Sequence, residues 1–238
     1  MADVRDFRYV DFASPVQPGF RNNVVRVADL PGLVDRYGRS DCYCTYFRFD
    51  GGLPGYVKQN HGSVAGYGEQ CHASFLPLDV DGSDLERALE TTRQITCFLL
   101  DGWGVPEEAV PVYYSGMKGF HVTLATAIFG EIQPGVELPG VFQGVRRSLV
   151  EKPNVTHPET IDFGISDRFR LLRLPNTRHS KSALFKIPLC AEELLYRGVE
   201  EVQEGAEERD GVRYIFRSLT SHVASIESAP EGEGRQRR

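Results

Sequence analysis

Alternating runs of apolar and polar residues divide the first half of the chain into short strands. Four stretches rich in aromatic and β-branched residues are predicted as strands: 41–49 (DCYCTYFRF), 73–80 (ASFLPLDV), 109–114 (AVPVYY) and 120–129 (FHVTLATAIF). The Gly-rich residues 50–72 are predicted as a loop. Pro77 has no N–H to donate, which argues against a regular, central position for the second strand.

A helical pattern follows the second strand. Ser83 with Glu86 three residues later is a capping box, and apolar residues at helical spacing continue to Leu99. The Gly- and Pro-containing stretch 101–106 (DGWGVP) ends this helix. Three further stretches are predicted as helices: 140–150 (GVFQGVRRSLV), 191–198 (AEELLYRG) and 213–227.

The remaining elements complete an α+β pattern. Residues 160–164 (TIDFG) read as a short extended segment, and 169–189 (FRLLRLPNTRHSKSALFKIPL) as strand, loop and strand. The tail, 223–238, is rich in Gly and charged residues and is predicted to be disordered. Strand, helix, strand, loop and strand around Asp79 and Asp81 predict an α+β sheet with helices packed on one face.

Cysteine usage and hydropathy predict a cytoplasmic protein, nucleoid-associated if the host is a prokaryote. No apolar run approaches the roughly 20 residues of a membrane span. The N-terminus lacks the basic-then-apolar pattern of a signal peptide. The five cysteines are odd in number and scattered, which argues against a disulfide framework and favours a reducing compartment.

The distribution of charge changes the picture that the net charge gives. The net charge of −6 argues against a nucleic-acid partner. Residues 165–186, however, hold six basic residues and one acidic residue, whereas residues 199–210 hold six acidic residues and one basic residue. Because local fields guide a charged ligand more than the total does, 165–186 is a candidate contact for a polyanion. The acidic stretch is interpreted as a solvated segment.

Asp79 and Asp81 are the first candidate site. Residues i and i+2 of a strand face the same side, so both carboxylates should point to one place. Two carboxylates that close repel each other, and a divalent cation removes the conflict. An isolated pair of this kind is also common where a strand simply runs into a helix, so its neighbours in the sequence decide.

Two further segments supply complementary groups. In 113–122 (YYSGMKGFHV), Ser115 and His121 flank a loop with Gly116 and Lys118, which suits a phosphate. In the later segment, 159–189, Asp162 adds a third carboxylate. Arg173, His179 and Lys181 follow it and add donors of positive charge. Each segment alone is more often a hairpin turn or a solvated surface; together they provide metal ligands and triphosphate donors.

The order of these motifs resembles the archaeo-eukaryotic primase (primase-polymerase) superfamily. PLDVD, SGMKGFH and TIDF are similar to its three motifs, and RLLRLPNTRHSK is similar to its basic segment at the triphosphate. The resemblance covers roughly residues 40–190. It implies an RRM-like catalytic sheet, from about residue 75 to 222, packed with a smaller N-terminal α/β module of about residues 1–74, as one catalytic domain over 1–222.

The resemblance also implies a role for each candidate residue. Asp79, Asp81 and Asp162 would be catalytic and would bind two Mg²⁺ or Mn²⁺ ions. The nucleotide-binding residues would be Ser115, Gly116, Lys118, His121, Arg173, His179 and Lys181. Many relatives carry a zinc site, but the spacing here matches no standard ligand pairing, so zinc is not expected; the Cys and His residues concerned are Cys42, Cys44, His61, Cys71 and His72.

The implied function is a DNA-templated nucleotidyltransferase, a DNA primase or primase-polymerase, that makes or extends primers from NTPs or dNTPs. Its partners would be single-stranded or primed DNA and the nucleotide, with a helicase or another replication or repair protein as a further candidate and no membrane. Three alternatives stay open. They are a non-catalytic module that binds single-stranded nucleic acid, a gap-filling repair polymerase that cannot start strands, and a two-metal nuclease.

Overall fold

The computed structural model describes residues 3–165 and 167–208. The last predicted helix, 213–227, and the predicted tail, 223–238, lie outside these ranges. The strands are β1 Tyr9–Ala13, β2 Asn23–Arg26, β3 Tyr43–Thr45, β4 Arg48–Phe49, β5 Cys71–His72, β6 Phe75–Asp81, β7 Val112–Tyr114, β8 Gly119–Ala125, β9 Ile161–Asp162, β10 Leu171–Arg173 and β11 Ile187–Leu189. The α-helices are α1 Leu30–Tyr37, α2 Gly52–Gln59, α3 Leu85–Cys97, α4 Leu138–Glu151, α5 Ala191–Tyr196 and α6 Val199–Gly205.

The strands form two antiparallel sheets. The first has the order β10-β3-β1-β4-β5, with β2 paired to β1, and the second has the order β11-β7-β8-β6-β9. In the second sheet the chain runs β6-α3-β7-β8-α4-β9, and the spatial order of these four strands is β7-β8-β6-β9. This is the split βαβ arrangement of ferredoxin-like and RRM-like sheets. The predicted α+β class with an RRM-like sheet is confirmed.

Strand β6 separates the core from the candidate site by simple alternation. Leu76, Leu78 and Val80 are fully buried and share one core with residues of α3 and α4. Asp79 and Asp81 alternate with them and therefore lie on the other face of the sheet. Helices α3 and α4 thus cover the face from which both carboxylates point away.

Pro77 does not exclude β6 from the middle of the sheet. The backbone N–H of Thr123, its partner in β8, donates to Pro111 O on the opposite side at 2.9 Å. Pro77 and Thr123 therefore do not exchange backbone hydrogen bonds, and the imide nitrogen of Pro77 points away from β8. On that other side β9 pairs only with Asp79 and Val80, so no ladder donor is required at residue 77.

Two local predictions are wrong. Residues 52–59, expected as loop, form α2, whose Leu53 is fully buried in the larger core. Burial of that apolar face outweighs the low helix propensity of its glycines. The cap of α3 is Asp84 rather than Ser83: its Oδ1 accepts hydrogen bonds from the N–H groups of Glu86 and Arg87. An ionised carboxylate at this position also suits the positive end of the helix dipole.

The segment read as strand, loop and strand joins the two sheets. Strand β10 pairs with β3 in the first sheet, whereas β11 pairs with β7 in the second. The loop between them, which carries His179 and Lys181, therefore spans the junction of the sheets. The predicted boundary near residue 74 also lies between strands of the first sheet and strands of the second. Strand β10 is an exception, since it follows residue 74 but belongs to the first sheet. The division into two parts stays a prediction.

One buried arginine ties α4 to the strand that carries the aspartates. Arg146 donates from Nε to Pro77 O at 2.9 Å and from Nη2 to the hydroxyl of Tyr46 at 2.6 Å. Its guanidinium lies over the Tyr46 ring, 5.6 Å from the centroid. Within the two described ranges, no helix is long and apolar enough to cross a membrane.

Candidate active site

Asp79, Asp81 and Asp162 meet at one edge of the open face of the second sheet. Asp79 and Asp162 are direct partners across β6 and β9, a position in which Cβ atoms are about 4.5–5.5 Å apart. Asp81 lies two residues along the same face of β6. The structure therefore brings the three predicted carboxylates together from two strands that are far apart in the sequence.

Burial and the neighbouring carboxylates both raise the pKa of Asp79. It is raised from 3.8 to about 7, first because the carboxyl group is largely buried and then because Asp81 and Asp162 are negatively charged. The repulsion is the one that the spacing of Asp79 and Asp81 predicts. A positive charge bound among these three groups would remove it.

Asp81 and Asp162 each already contact a basic side chain. Lys118 Nζ lies 2.7 Å from Asp81 Oδ2, and this hydrogen bond raises the pKa of Lys118. Arg170 Nη2 lies 2.9 Å from the Oδ2 atom of Asp162. The other oxygen of Asp162 accepts the backbone N–H of Gly164 at 2.7 Å. These exposed or half-exposed contacts are weak enough to exchange for other ligands.

His121 links the carboxylates to a buried lysine. It faces Asp79 across β6 and β8, with 3.5 Å between His121 Nε2 and Asp79 Oδ1. On the other side of the ring, Lys186 Nζ lies 2.7 Å from His121 Nδ1. Burial, followed by the charges of Lys186 and Arg173, holds the pKa of His121 well below 6.5, so the ring is neutral at physiological pH.

Arg173 is held by groups of the first sheet. Its Nη1 lies 2.5 Å from Asp41 Oδ1, and its Nη2 donates to the Tyr43 hydroxyl at 2.5 Å. Burial raises the pKa of Asp41, but hydrogen bonds from Ser180 and Arg173 outweigh it and hold the value below 3.8. The structure thus places Arg173 behind His121, close enough to affect its charge, with its guanidinium turned to Asp41 rather than to the three aspartates.

The predicted phosphate loop between Ser115 and His121 packs against the basic segment 165–186. The N–H of Ser115 donates to Gly119 O at 2.9 Å, which closes the loop, and Gly116 adopts a positive φ of 88°. The Gly116 carbonyl accepts a hydrogen bond from the Ser182 hydroxyl. A Cβ atom on Gly116 would lie 3.0 Å from Leu184 O, so the close approach of the two loops requires glycine.

His179 and Lys181 lie at the outer side of this junction. His179 Nδ1 accepts the N–H of Lys181 at 3.1 Å, which leaves Nε2 for another partner. Burial and the nearby charge of Arg173 lower the pKa of His179 below 6.5. Lys181 is exposed. Both residues are near Arg173, but the structure does not bring them into contact with Asp79, Asp81 or Asp162.

The residues present fit a divalent cation in their chemistry. Over 3–165 and 167–208, no three or more His, Cys, Asp or Glu side chains stand arranged to hold an ion, and Asp81 and Asp162 each contact a basic group. Carboxylate oxygens are nevertheless the ligands that Mg²⁺ and Mn²⁺ prefer, and the charges of Asp81 and Asp162 add to burial in raising the pKa of Asp79 at the place where a cation would bind.

Sequence reasoning assigned no role to four residues that build the site: Asp41, Tyr43, Arg170 and Lys186. Arg170 and Lys186 were counted only as part of the basic segment. For Lys186 a signal exists, because it is a single charged residue within the apolar run ALFKIPL. Asp41 carries no such signal, since its role depends on the pairing of β3 with β10.

One known protein of similar sequence agrees with the resemblance that the motifs indicate. No family model matches the chain. Over 123 residues the sequence is 28% identical to the DNA primase small subunit PriS of Saccharolobus solfataricus. The match covers 45% of this chain and 36% of that subunit, so it spans about a third of the relative. It confirms the resemblance to the archaeo-eukaryotic primase superfamily.

Among solved structures, the chain is similar to the polymerase domain of Mycobacterium tuberculosis Ligase D in complex with DNA. The TM-score is 0.46 at 15% sequence identity, and the superposition covers 84% of this chain and 71% of that chain.

Proposed function

We propose that this protein is a metal-dependent nucleotidyltransferase of the primase-polymerase kind, which adds NTPs or dNTPs to a strand on a DNA template. The observation that carries the proposal is the meeting of Asp79, Asp81 and Asp162 beside His121, with the pKa of Asp79 raised to about 7 by burial and by the other two carboxylates. The match to a primase small subunit supports the same class.

In this proposal the three aspartates hold two divalent ions. The ions, when bound, activate the attacking 3′-hydroxyl and neutralise the charge of the leaving pyrophosphate. Lys118 and Arg170 now contact Asp81 and Asp162, and both can turn to phosphate oxygens once those carboxylates take other ligands. Ser115 and Gly116 would approach the phosphates through the backbone of their loop.

His121 would donate a hydrogen bond from Nε2 to a phosphate oxygen. A neutral ring suits this role, since it donates without repelling a nearby metal ion. Arg173, buried against Asp41, would add positive charge from behind, and His179 and Lys181 would meet the outer phosphates or the strand. The basic segment 165–186 would supply the field that draws in the polyanion.

A primer-extension assay tests the proposal. Purified protein is incubated with a primed template, each of Mg²⁺ and Mn²⁺, and NTPs or dNTPs in turn. We expect extension that needs the metal and stops in EDTA. A parallel reaction on an unprimed single strand separates a primase from a polymerase that only extends. Binding of single strands that is equally tight in EDTA, with no pyrophosphate released, would instead identify a non-catalytic binding module.

The matched variants are D79A/D81A and D101N. Asp101 is an exposed carboxylate beyond the far end of α3, about 20 Å of helix away from Asp81. The double variant should fold and lose extension by at least about 1000-fold, because the metal ligands are gone. D101N should keep the wild-type rate. Extension by D79A/D81A at the wild-type rate would refute the assignment of the aspartates.

A further inference from the structure

Lys186 is buried where a charge is costly. Its residue is 4% exposed, and it precedes β11 within the apolar run ALFKIPL. Burial lowers its pKa from 10.5 to about 7. A buried amine destabilises a fold unless its hydrogen bonds are satisfied, and an apolar residue of similar size usually serves packing at least as well. The reason for a lysine here should therefore lie in what its Nζ atom contacts.

The Nζ atom of Lys186 has two partners, and both belong to the candidate site. It lies 2.7 Å from His121 Nδ1 and donates to Arg173 O at 2.9 Å. It also lies 4.8 Å from the centre of the Tyr113 ring, which favours a positive charge. Lys186 thus connects β10, β7 and β8, on both sides of the junction between the sheets.

These contacts select one tautomer of His121. An ammonium group only donates, and a neutral amine still has a second N–H besides the one it gives to Arg173 O, so Nζ can donate to Nδ1 in either charge state when Nδ1 carries no proton. The proton of the neutral ring is then on Nε2. With Asp79 ionised, as it would be when it binds a cation, the opposite tautomer would leave a lone pair on Nε2 facing the Asp79 oxygen 3.5 Å away, which is repulsive. Both sides of the ring therefore favour the same tautomer.

We propose that Lys186 is a positioning residue: by donating from Nζ to His121 Nδ1, it holds His121 in the Nε2–H tautomer and aims that N–H at the site of the nucleotide phosphate. The orientation of His121 is set without any contact between Lys186 and the substrate. The phosphate part of this inference rests on the proposed function, whereas the tautomer of His121 does not.

The tautomer is tested by long-range ¹H–¹⁵N NMR of the histidine rings, with the H121N variant used to assign the His121 signals. We expect an unprotonated Nδ1 and a protonated Nε2 in the wild-type protein without nucleotide. In K186M the Nδ1 resonance should move downfield because its donor is lost, whereas in K186R it should stay closer to the wild-type position. A proton on Nδ1 in the wild-type protein, or an unchanged Nδ1 resonance in K186M, would overturn the proposal.

Nucleotide binding gives a second readout that a purely structural role would not produce. With dATP and Mn²⁺ as the probe, K186M should bind about 10-fold more weakly than the wild-type protein, the worth of one hydrogen bond. The K186M change should cost nothing further in an H121N background, because its effect passes through His121. An equal loss in both backgrounds would assign Lys186 a role independent of His121.

The two failures are distinguishable. If the wild-type protein does not bind dATP at all, the proposed function fails, and the NMR result still decides the role of Lys186. Should K186M not fold, the wild-type tautomer decides alone. Thermal unfolding of each variant shows which case applies.

Discussion

At the residue scale, the site is governed by like charges brought together and by the groups that compensate them. Asp79 carries the largest share of this repulsion, because it has Asp81 on one side, Asp162 on the other and little solvent. The alternation of β6 predicted from the sequence that Asp79 and Asp81 share a face. It could not predict Lys186 as the partner of His121, since that contact depends on where β11 joins the sheet.

The raised pKa of Asp79 predicts a pH dependence of stability. Because the folded state holds a proton that the unfolded state releases near pH 4, the free energy of unfolding should fall as pH rises from about 4 to about 7. D79N has no such proton to lose. Between about pH 5 and pH 8, without divalent ions, the wild-type protein should lose roughly 1–3 kcal/mol more than D79N.

Urea unfolding at both pH values measures this difference, with D101N as the control for an exposed carboxylate. D101N should follow the wild-type protein, since Asp101 is exposed. Equal pH dependence in the wild-type protein and D79N would contradict the raised pKa.

At the element scale, the hairpin of β7 and β8 and the strand β6 form the frame of the site. Their hydrophobic alternation was sufficient to predict them, as was the periodicity of α3. Helix α2 could not be predicted in the same way, because its glycines have low helix propensity and the helix is stabilised by packing of Leu53, Tyr56 and Val57 on the core. The two strands 171–173 and 187–189 were predicted individually, but their pairing with different sheets is a long-range property that no local pattern contains.

At Gly119 these strands leave no space for a side chain. It pairs with Asp81 across β6 and β8, and a Cβ atom on it would lie 2.1 Å from Val80 O. G119A should therefore separate the two strands at the second aspartate and lower the free energy of unfolding by roughly 2–4 kcal/mol. Primer extension should fall further than the loss of folded protein explains.

The matched control is another glycine-to-alanine change, G144A in α4. Nothing lies within 4 Å of a Cβ atom at Gly144. Because alanine favours a helix over glycine, G144A should raise stability by about 0.5–1 kcal/mol. Chemical denaturation compares the two variants, and similar stabilities would show that the close contact at Gly119 is not limiting.

At the scale of the whole molecule, the larger hydrophobic core includes residues of both sheets, and a smaller cluster around Val10, Phe12 and Val34 lies between the first sheet and α1. Phe47 and Phe142 lie 5.5 Å apart between ring centres, and Phe49 stacks on Phe169 at 4.6 Å. All the residues of the larger core, from Tyr46 to Ala206, form one connected cluster across the sheets. The sequence predicted a smaller module before residue 75 and its aromatic strand at 41–49. The extent of the larger core follows only from the assembled fold.

The larger core predicts that the part of the chain after residue 74 does not fold alone. A chain that begins at residue 75 loses Phe47 and Phe49 and the strand that pairs with β10. It should therefore show no cooperative thermal transition, whereas the whole chain should unfold in one step. Circular dichroism in the aromatic region follows both. A sharp transition in the shorter chain would favour two independent units and support the proposed boundary near residue 74.

Pro77 limits the backbone hydrogen bonds that β6 can offer to a strand of another molecule. Because β9 is only two residues long, β6 is almost an outermost strand along residues 75–77. An outermost strand ordinarily offers amide and carbonyl groups to strands of neighbouring molecules. At Pro77 there is no amide, and the carbonyl is already taken by Arg146. At residue 77, the strand that bears the aspartates therefore has neither a donor nor a free acceptor to offer to a strand of a neighbouring molecule.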